Sequence, residues 1–419
     1  MVHLPAMTDN SFPYNPMRSL STSEATHRAT RWVILPLVVY VLAAVVITWP
    51  LVTQITTHAA GAGYSDSYEV IRHSWWMREA LLDGQNPFDQ TLLVYPDGFM
   101  SWLQWTHPLQ YFPPALLSLV FSPLTAFNLW LLIVMVLNGW SAYLLGMHFS
   151  RQQPLAALLG GLVFLAFPTV QGHLSVGHLG IVSLYPLPLL ALCLWRVLRE
   201  NAGWRTAIWG GVWLALTALV YVSQVIFVVL PMALVFAFLL RRGEGSWRDQ
   251  PWLKLLVMAV LGGLLILPFY APLLTDEGRA EVRALSEGGR VAFSADVLAF
   301  ASPSPFGPLE DIAPDYSRDV LGINSAEGTA YLGVIAVFLA SLALRRREAW
   351  PWLIVGLVAM LLSLGPLLKW RDIPVTIPIE EFDSYVTLPW ALLQHLPFLD
   401  ATRTPGRFNL STGLTLSLL

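Results

Sequence analysis

Two carboxylates three residues apart are the first groups in this sequence that can do chemistry. Asp66 and Glu69 stand in Gly61-Ala62-Gly63-Tyr64-Ser65-Asp66-Ser67-Tyr68-Glu69. A helix beginning here, with Ser65 or Asp66 as N-cap, puts both on one face. Such a pair can act as a general base or hold a divalent cation; the plainer alternative is a cap and a solvated charge. His173 and His178 lie in Gln171-Gly172-His173-Leu174-Ser175-Val176-Gly177-His178, a turn from which they can bind a sugar or phosphate, or cap helix ends. With no Asp, Glu or Cys beside them, no zinc site is expected there. His107, between Trp105 and Pro108, has the same alternatives. Arg403 and Arg407 bracket Thr404-Pro405-Gly406. Guanidinium forks suit bidentate phosphate binding; otherwise they snorkel or pair with Asp400 or Asp383.

The elements that must position these groups are membrane helices. Hydrophobic residues make up 55% of the chain, charged residues 12%, and the mean hydropathy is +0.58. A soluble domain carries about a quarter charged residues, so an all-α, polytopic transmembrane bundle is predicted. Apolar runs long enough to cross about 30 Å of hydrocarbon predict spans near 32–52, 124–147, 154–171, 179–198, 206–221, 224–240, 252–270, 329–344 and 350–368. A tenth starts near Arg407 and stops at Leu419, so the chain is expected to be truncated or to dock its end at the surface. Residues 1–31 read as a mobile cytoplasmic tail and 32–419 as the transmembrane domain. The Pro-rich Leu109–Phe121 segment is expected to be re-entrant or interfacial, as is a helix with Trp75, Trp76, Leu81 and Leu82 as its apolar stripe. Cys193, the single cysteine, excludes a disulfide within the chain and reads as a small packing residue. Gly160-Gly161, Gly210-Gly211 and Gly262-Gly263 mark close helix packing.

Charge sets the orientation. With the N-terminus cytoplasmic, the inside segments hold Arg18, Arg28, Arg31, Arg151, Arg196, Arg199, Arg205, Arg241, Arg242, Arg248, Lys254, Arg345, Arg346 and Arg347. Only Asp9, Glu24, Glu200, Glu244, Asp249 and Glu348 join them. This is the positive-inside pattern. It leaves three long outer loops, 53–108, 271–328 and 369–408, where function is expected. In the second, the alternating charges from Asp276 to Arg290 predict a solvated helix, and Ser302–Pro308 a rigid loop.

No Walker loop, nucleophile elbow or His-Glu-x-x-His occurs. Several motifs do occur in order: Asp66 and Glu69; Trp75-Trp76; Glu79-Ala80-Leu81-Leu82-Asp83-Gly84-Gln85-Asn86-Pro87-Phe88; Tyr95-Pro96-Asp97-Gly98; His107-Pro108-Leu109; Phe167-Pro168; His173-Leu174; Gly177-His178-Leu179; and Arg403-Thr404-Pro405-Gly406-Arg407-Phe408. On these the chain resembles the bacterial polytopic glycosyltransferases of the GT-C superfamily, in the group with mannosyltransferase-like and lipid A-modifying enzymes. The resemblance implies a GT-C-like fold of about ten spans in the bacterial plasma membrane, among membrane lipids. It implies sugar transfer from a polyprenyl-phosphate donor on the outer face. The acidic residue at the catalytic centre would be Asp66, with Glu69 second, where many members carry an adjacent acidic pair. His107, His173, His178, Arg403 and Arg407 are then expected to bind substrate. No resident cofactor is required, a divalent cation is allowed, and nothing points to a nucleic acid.

Two other function classes stay in view. A transporter or flippase for a lipid-linked or polar solute normally carries ionisable groups near mid-membrane, whereas the charges here gather at one face. An inactive relative could serve as a membrane scaffold.

Overall fold

The computed structural model describes residues 22–240, 251–303, 305–306, 319–321, 324–397 and 399–419. Most of the expected tail lies outside these residues, as do Arg241, Arg242, Arg248, Ser304, Gly307 and Pro308. From Thr22 the chain is already helical, through to Ile47, so the first helix starts before the expected span.

The chain is helical, with helices where the apolar runs fall. Five of the described α-helices begin with proline, at Pro108, Pro123, Pro154, Pro168 and Pro186, where the missing N–H costs nothing and φ is already helical. Ser122 caps Pro123–Phe149 by accepting from the Thr125 N–H at 3.2 Å. Five helices among the described residues are long and apolar enough to cross a bilayer: Pro123–Phe149, Pro154–Ser175, Leu179–Leu198, Val222–Leu239 and Trp252–Leu274. The other predicted spans form shorter helices, among them Trp204–Val220, Val334–Ala343, Trp350–Ser363 and Asn409–Leu416.

These helices need an apolar solvent. Along Trp252–Tyr270, Leu253, Leu256, Val260, Leu264 and Leu267 form one exposed face, each at least half accessible. In water such a stripe would cost about 25 cal/mol per Å² of apolar surface; in lipid it costs nothing. Val33, Ile34, Val38, Leu42 and Val46 repeat the pattern on the first helix. The molecule is a helical membrane protein.

Breaks in the helices are satisfied internally, as a bilayer demands. Between Leu179–Val182 and Pro186–Leu198 the chain leaves the helix. Asn138 Nδ2 donates to the Val182 carbonyl at 2.7 Å, and its Oδ1 accepts from the Leu184 N–H at 3.0 Å. Gln224 Nε2 donates to the Gly180 and Ser183 carbonyls. The glycine pairs do sit at close approaches, Gly161 against Tyr40 and Gly211 against Leu261, although Gly263 faces open space. Cys193 is buried.

The connecting segments meet in two separate groups. Asn128 Nδ2 donates to the Ile55 and His58 carbonyls, the Ala62 N–H to the Ser175 carbonyl, and the Gly406 N–H to the Phe293 carbonyl. At the other end of Pro123–Phe149, His148 pairs with Glu200 at 2.6 Å, and Lys254 donates to Asn201 and Ala202.

Several local expectations change. The Ser67–Leu82 helix buries Val70, His73, Ser74, Trp76, Met77 and Ala80, while Leu81 and Leu82 are exposed. Its packed face is set by Pro108–Leu117 and Pro123–Phe149, not by the Trp75–Leu82 stripe. The charged segment is a helix, Asp276–Ser286, but it is not simply solvated. Glu281 accepts from Ser101 Oγ and from the Trp102 and Leu103 N–H groups, capping the short Trp102–Trp105 helix. The connecting segments also contain small antiparallel strand pairs, the longest among the described residues being Thr376–Ile379 with Phe382–Tyr385.

Candidate functional site

Asp66 occupies the N-cap position of Ser67–Leu82, yet its side chain makes no capping hydrogen bond. A capping residue needs extended backbone to turn its oxygen onto the first-turn N–H groups; Asp66 has φ −65° and ψ −5°, so its carboxylate is aimed elsewhere. It meets His178, with Oδ2 3.2 Å from Nε2. The backbone fixes this meeting. The Asp66 N–H donates to the Val176 carbonyl at 2.9 Å. Gly177, at φ +75°, passes so close that a Cβ there would lie 2.3 Å from the Ser67 nitrogen. Only glycine fits.

Behind His178 the contacts continue inward. Its Nδ1 lies 2.9 Å from His173 Nδ1, and His173 Nε2 lies 3.9 Å from Glu327 Oε2. Glu327 in turn receives Arg407: Nε reaches both carboxylate oxygens at 3.1 Å, and Nη2 reaches Oε1. Arg407 Nη1 donates to Tyr221 Oη at 3.3 Å, and His107 stacks on the Tyr221 ring with centroids 4.6 Å apart. Side-chain exposure falls along this line, from 60% at Asp66 and 21% at His178 to 0% at His173 and 3% at Glu327. An open carboxylate is thereby wired to a buried ion pair.

Hydrogen-bond roles follow from the donors available. With Asp66 ionised, His178 Nε2 carries the proton it donates. His178 Nδ1 and His173 Nδ1 share one proton between them. His173 Nε2 is left buried and without a hydrogen-bond partner.

The electrostatics divide the carboxylates. The hydrogen bond from His178 holds Asp66 below the usual carboxylate range, against burial. Glu69 is pushed up, first by burial and then by the Asp66 charge; it accepts from Gln104 Nε2 at 3.3 Å, on the helix that Glu281 caps. Burial alone would raise Glu327, but Arg407 and His173 outweigh it and hold the carboxyl down to about 2. His107, buried at the N-cap of Pro108–Leu117, is pushed down to about 3 by burial and stays neutral. His73, one turn beyond Glu69, donates from Nδ1 to the Glu69 carbonyl at 2.8 Å. Burial and Arg72 lower it to about 4.

The predicted site residues thus divide. Asp66, His178, His173, Arg407 and His107 are joined by direct or one-residue contacts, and Glu69 sits beside them one turn along. Arg403 stands apart: it is exposed, with Cζ 5.6 Å from the Phe293 ring centroid. Of the alternatives for Arg407, pairing with an acid is what the fold shows, but the partner is Glu327 rather than Asp400 or Asp383, because a buried carboxylate needs a buried cation. Sequence reasoning missed Glu327 and Tyr221. The only signal for Glu327 was an acid in Asn324-Ser325-Ala326-Glu327-Gly328, hard against an apolar run. No acid accompanies the histidines in their own segment, but the fold brings one to them: His173, His178 and Glu327 each present a metal-ligating atom within 4.8 Å of the others.

A cavity of about 510 Å³ lies elsewhere, lined by His148, Arg151, Arg346 and Trp352, and contains none of these residues. No curated protein matches the chain. Residues 83–387 match the family model described as a domain of unknown function, DUF6311. The match takes in both histidines, Tyr221 and Glu327, and stops short of Asp66 and Arg407 on either side. With most of its length matched, the chain belongs to the DUF6311 family.

Proposed function

We propose that this protein is a membrane glycosyltransferase of GT-C type, transferring a sugar from a polyprenyl-phosphate donor to an acceptor hydroxyl. The observation that carries the reading is Asp66: a solvent-facing carboxylate held ionised by His178 at 3.2 Å. Asp66 takes the acceptor proton as the hydroxyl oxygen bonds to the sugar carbon. The bond to the donor phosphate breaks, and the phosphate leaves with the electron pair. Because that leaving group is already a stabilised anion, the enzyme mainly positions reactants and supplies the base. Arg403 meets the donor phosphate at the exposed rim, while Arg407 acts from behind through Glu327. The finer topology belongs to the same proposal: about ten spans in a bacterial plasma membrane, N-terminus cytoplasmic, with the site on the outer face. The grouping of loops 53–108, 172–178, 271–328 and 369–408 in one set of contacts supports it.

One observation favours a second reading. His173, Glu327 and Arg407 form a buried ionisable group inside an apolar bundle, and such groups also mark transport pathways. Asp66→Asn in membranes supplied with a labelled polyprenyl-phosphate sugar separates the two. Loss of transfer with retained expression supports the transferase; undiminished transfer removes Asp66 from the chemistry. Uptake of solute by vesicles containing the protein, without transfer, favours the transporter. Neither activity leaves the scaffold.

A further inference from the structure

We infer that His173, His178 and Glu327 bind one transition-metal dication of the zinc and cobalt class, with Asp66 orienting the His178 ligand. Three independent features point there. First, one ligand atom from each residue lies within 4.8 Å of the other two, although Glu327 comes from the Ser325–Gly328 helix, far along the chain from the two histidines. A tetrahedral ion with bonds of about 2.0–2.1 Å spaces its ligands roughly 3.3 Å apart, a closure within reach of side-chain rotation. Second, His173 Nε2 is buried without a hydrogen-bond partner, and it lies opposite Glu327 Oε2. At 3.9 Å the two atoms are too far apart to hydrogen-bond, and a cation bonded to both would fill the gap between two buried polar groups. Third, the outer shell is already built. Metal-bound histidines characteristically donate their second ring N–H to a carboxylate, and His178 Nε2 stands 3.2 Å from Asp66 Oδ2. That pairing leaves Nδ1, on the His173 side, as the ligating nitrogen once a metal displaces its contact with His173 Nδ1.

Two imidazoles and one carboxylate match the zinc-like donor preference, whereas magnesium and calcium want six or more oxygens. Arg407 does not close the site. It puts two nitrogens on Oε1 and only Nε on Oε2, so Oε2 keeps a lone pair toward His173. Three protein ligands leave a fourth position, on the side where Asp66 and His178 are exposed, for water or an anionic substrate group. The inference does not depend on the transferase reading, because metal uptake is measured without any sugar.

The test uses the untagged full chain in detergent, stripped with chelator and titrated with Co²⁺. One equivalent is expected, with the visible absorption of four-coordinate cobalt, displaced by Zn²⁺. His178→Ala, at a part-exposed position, should abolish both the band and stoichiometric uptake. Asp66→Asn should weaken binding by about 10–100-fold, the usual effect of removing an outer-shell partner. His148→Ala, at the Glu200 pair, should bind as the wild type does. Circular dichroism and gel filtration confirm that each variant is folded. No stoichiometric uptake by the wild type overturns the proposal, as does uptake unchanged in His178→Ala or lost equally in His148→Ala.

Discussion

Replacing Glu327 with Gln removes one charge and almost no volume, so it isolates what the buried ion pair contributes. Arg407 is 12% exposed and gives three of its hydrogen bonds to this carboxylate. At an effective dielectric of about 20, opposite charges about 4 Å apart attract by about 4 kcal/mol. Removing one partner of a buried pair typically costs about 3–5 kcal/mol, because the other charge is left without compensation. Glu327→Gln is therefore expected to destabilise by about 3 kcal/mol, Gln retaining one acceptor. Glu327→Met with Arg407→Met, which removes both charges and fills the space, should cost less than Glu327→Gln alone. The assay is SDS titration of the micellar protein, read by tryptophan fluorescence. Acid repeats the experiment without mutation. A carboxyl lowered from 4.5 to about 2 stabilises the fold fully above pH 4.5, and that stability is lost as pH falls toward 2. The Glu327→Gln variant should lack this limb. A cost under about 1 kcal/mol for Glu327→Gln, or single Glu327→Met and Arg407→Met variants whose costs simply add in the double variant, would refute the claim that these charges are paired in a dry site.

Other outcomes follow from individual contacts. His178→Ala removes the hydrogen bond that lowers Asp66, so the acid limb of the transfer rate should move to higher pH; an unmoved limb contradicts the assignment of Asp66 as base. Gly177→Ala forces a Cβ to 2.3 Å from the Ser67 nitrogen at φ +75°; it should destabilise by more than about 1 kcal/mol and reduce Asp66-dependent transfer, checked by the same SDS titration and by activity. Glu281→Ala uncaps Trp102–Trp105 and should cost about 1 kcal/mol, with faster amide exchange at residues 102–105 as the specific sign. Tyr221→Phe, which removes one hydrogen bond to Arg407, should cost about 1.5 kcal/mol and leave metal uptake intact.

Periodicity and composition carry the helices because a membrane span is a local property: about 20 apolar residues declare themselves wherever they occur. Trp252–Tyr270 and Pro123–Phe149 are legible in that way. The face of Ser67–Leu82 is not, because two tryptophans suggested a stripe whereas packing against Pro108–Leu117 chose His73, Ser74 and Met77 instead. The role of Glu281 is illegible for the same reason: an acid in an alternating-charge helix looks solvated until the helix it caps, some 180 residues away, is placed beside it. At the site, Asp66, His173 and His178 stood out by residue type and by glycine-containing turns. Glu327 did not, because its meaning lies in being buried opposite Arg407, a pairing between residues 80 apart that leaves no spacing signature.

The way the site is clamped bears on the choice between chemistry and transport. A transporter must let its buried charges see each side of the membrane in turn, which requires the elements bearing them to separate. Here the contacts that join those elements are backbone approaches with no room for a side chain. A Cβ at Gly406 would lie 2.2 Å from the Glu327 carbonyl, and one at Gly177 2.3 Å from the Ser67 nitrogen. Thr169 Oγ1 donates to the Thr329 carbonyl at 2.9 Å, buried beside them. Opening the site would break all three together, and with them the Arg407–Glu327 pair. A rigid framework of this kind is what a positioned base requires, since misplacement by an ångström can cost about 100-fold in rate. If Gly406→Ala and Gly177→Ala left solute uptake intact while abolishing sugar transfer, the clamp would serve catalysis; loss of uptake alone would reverse that conclusion.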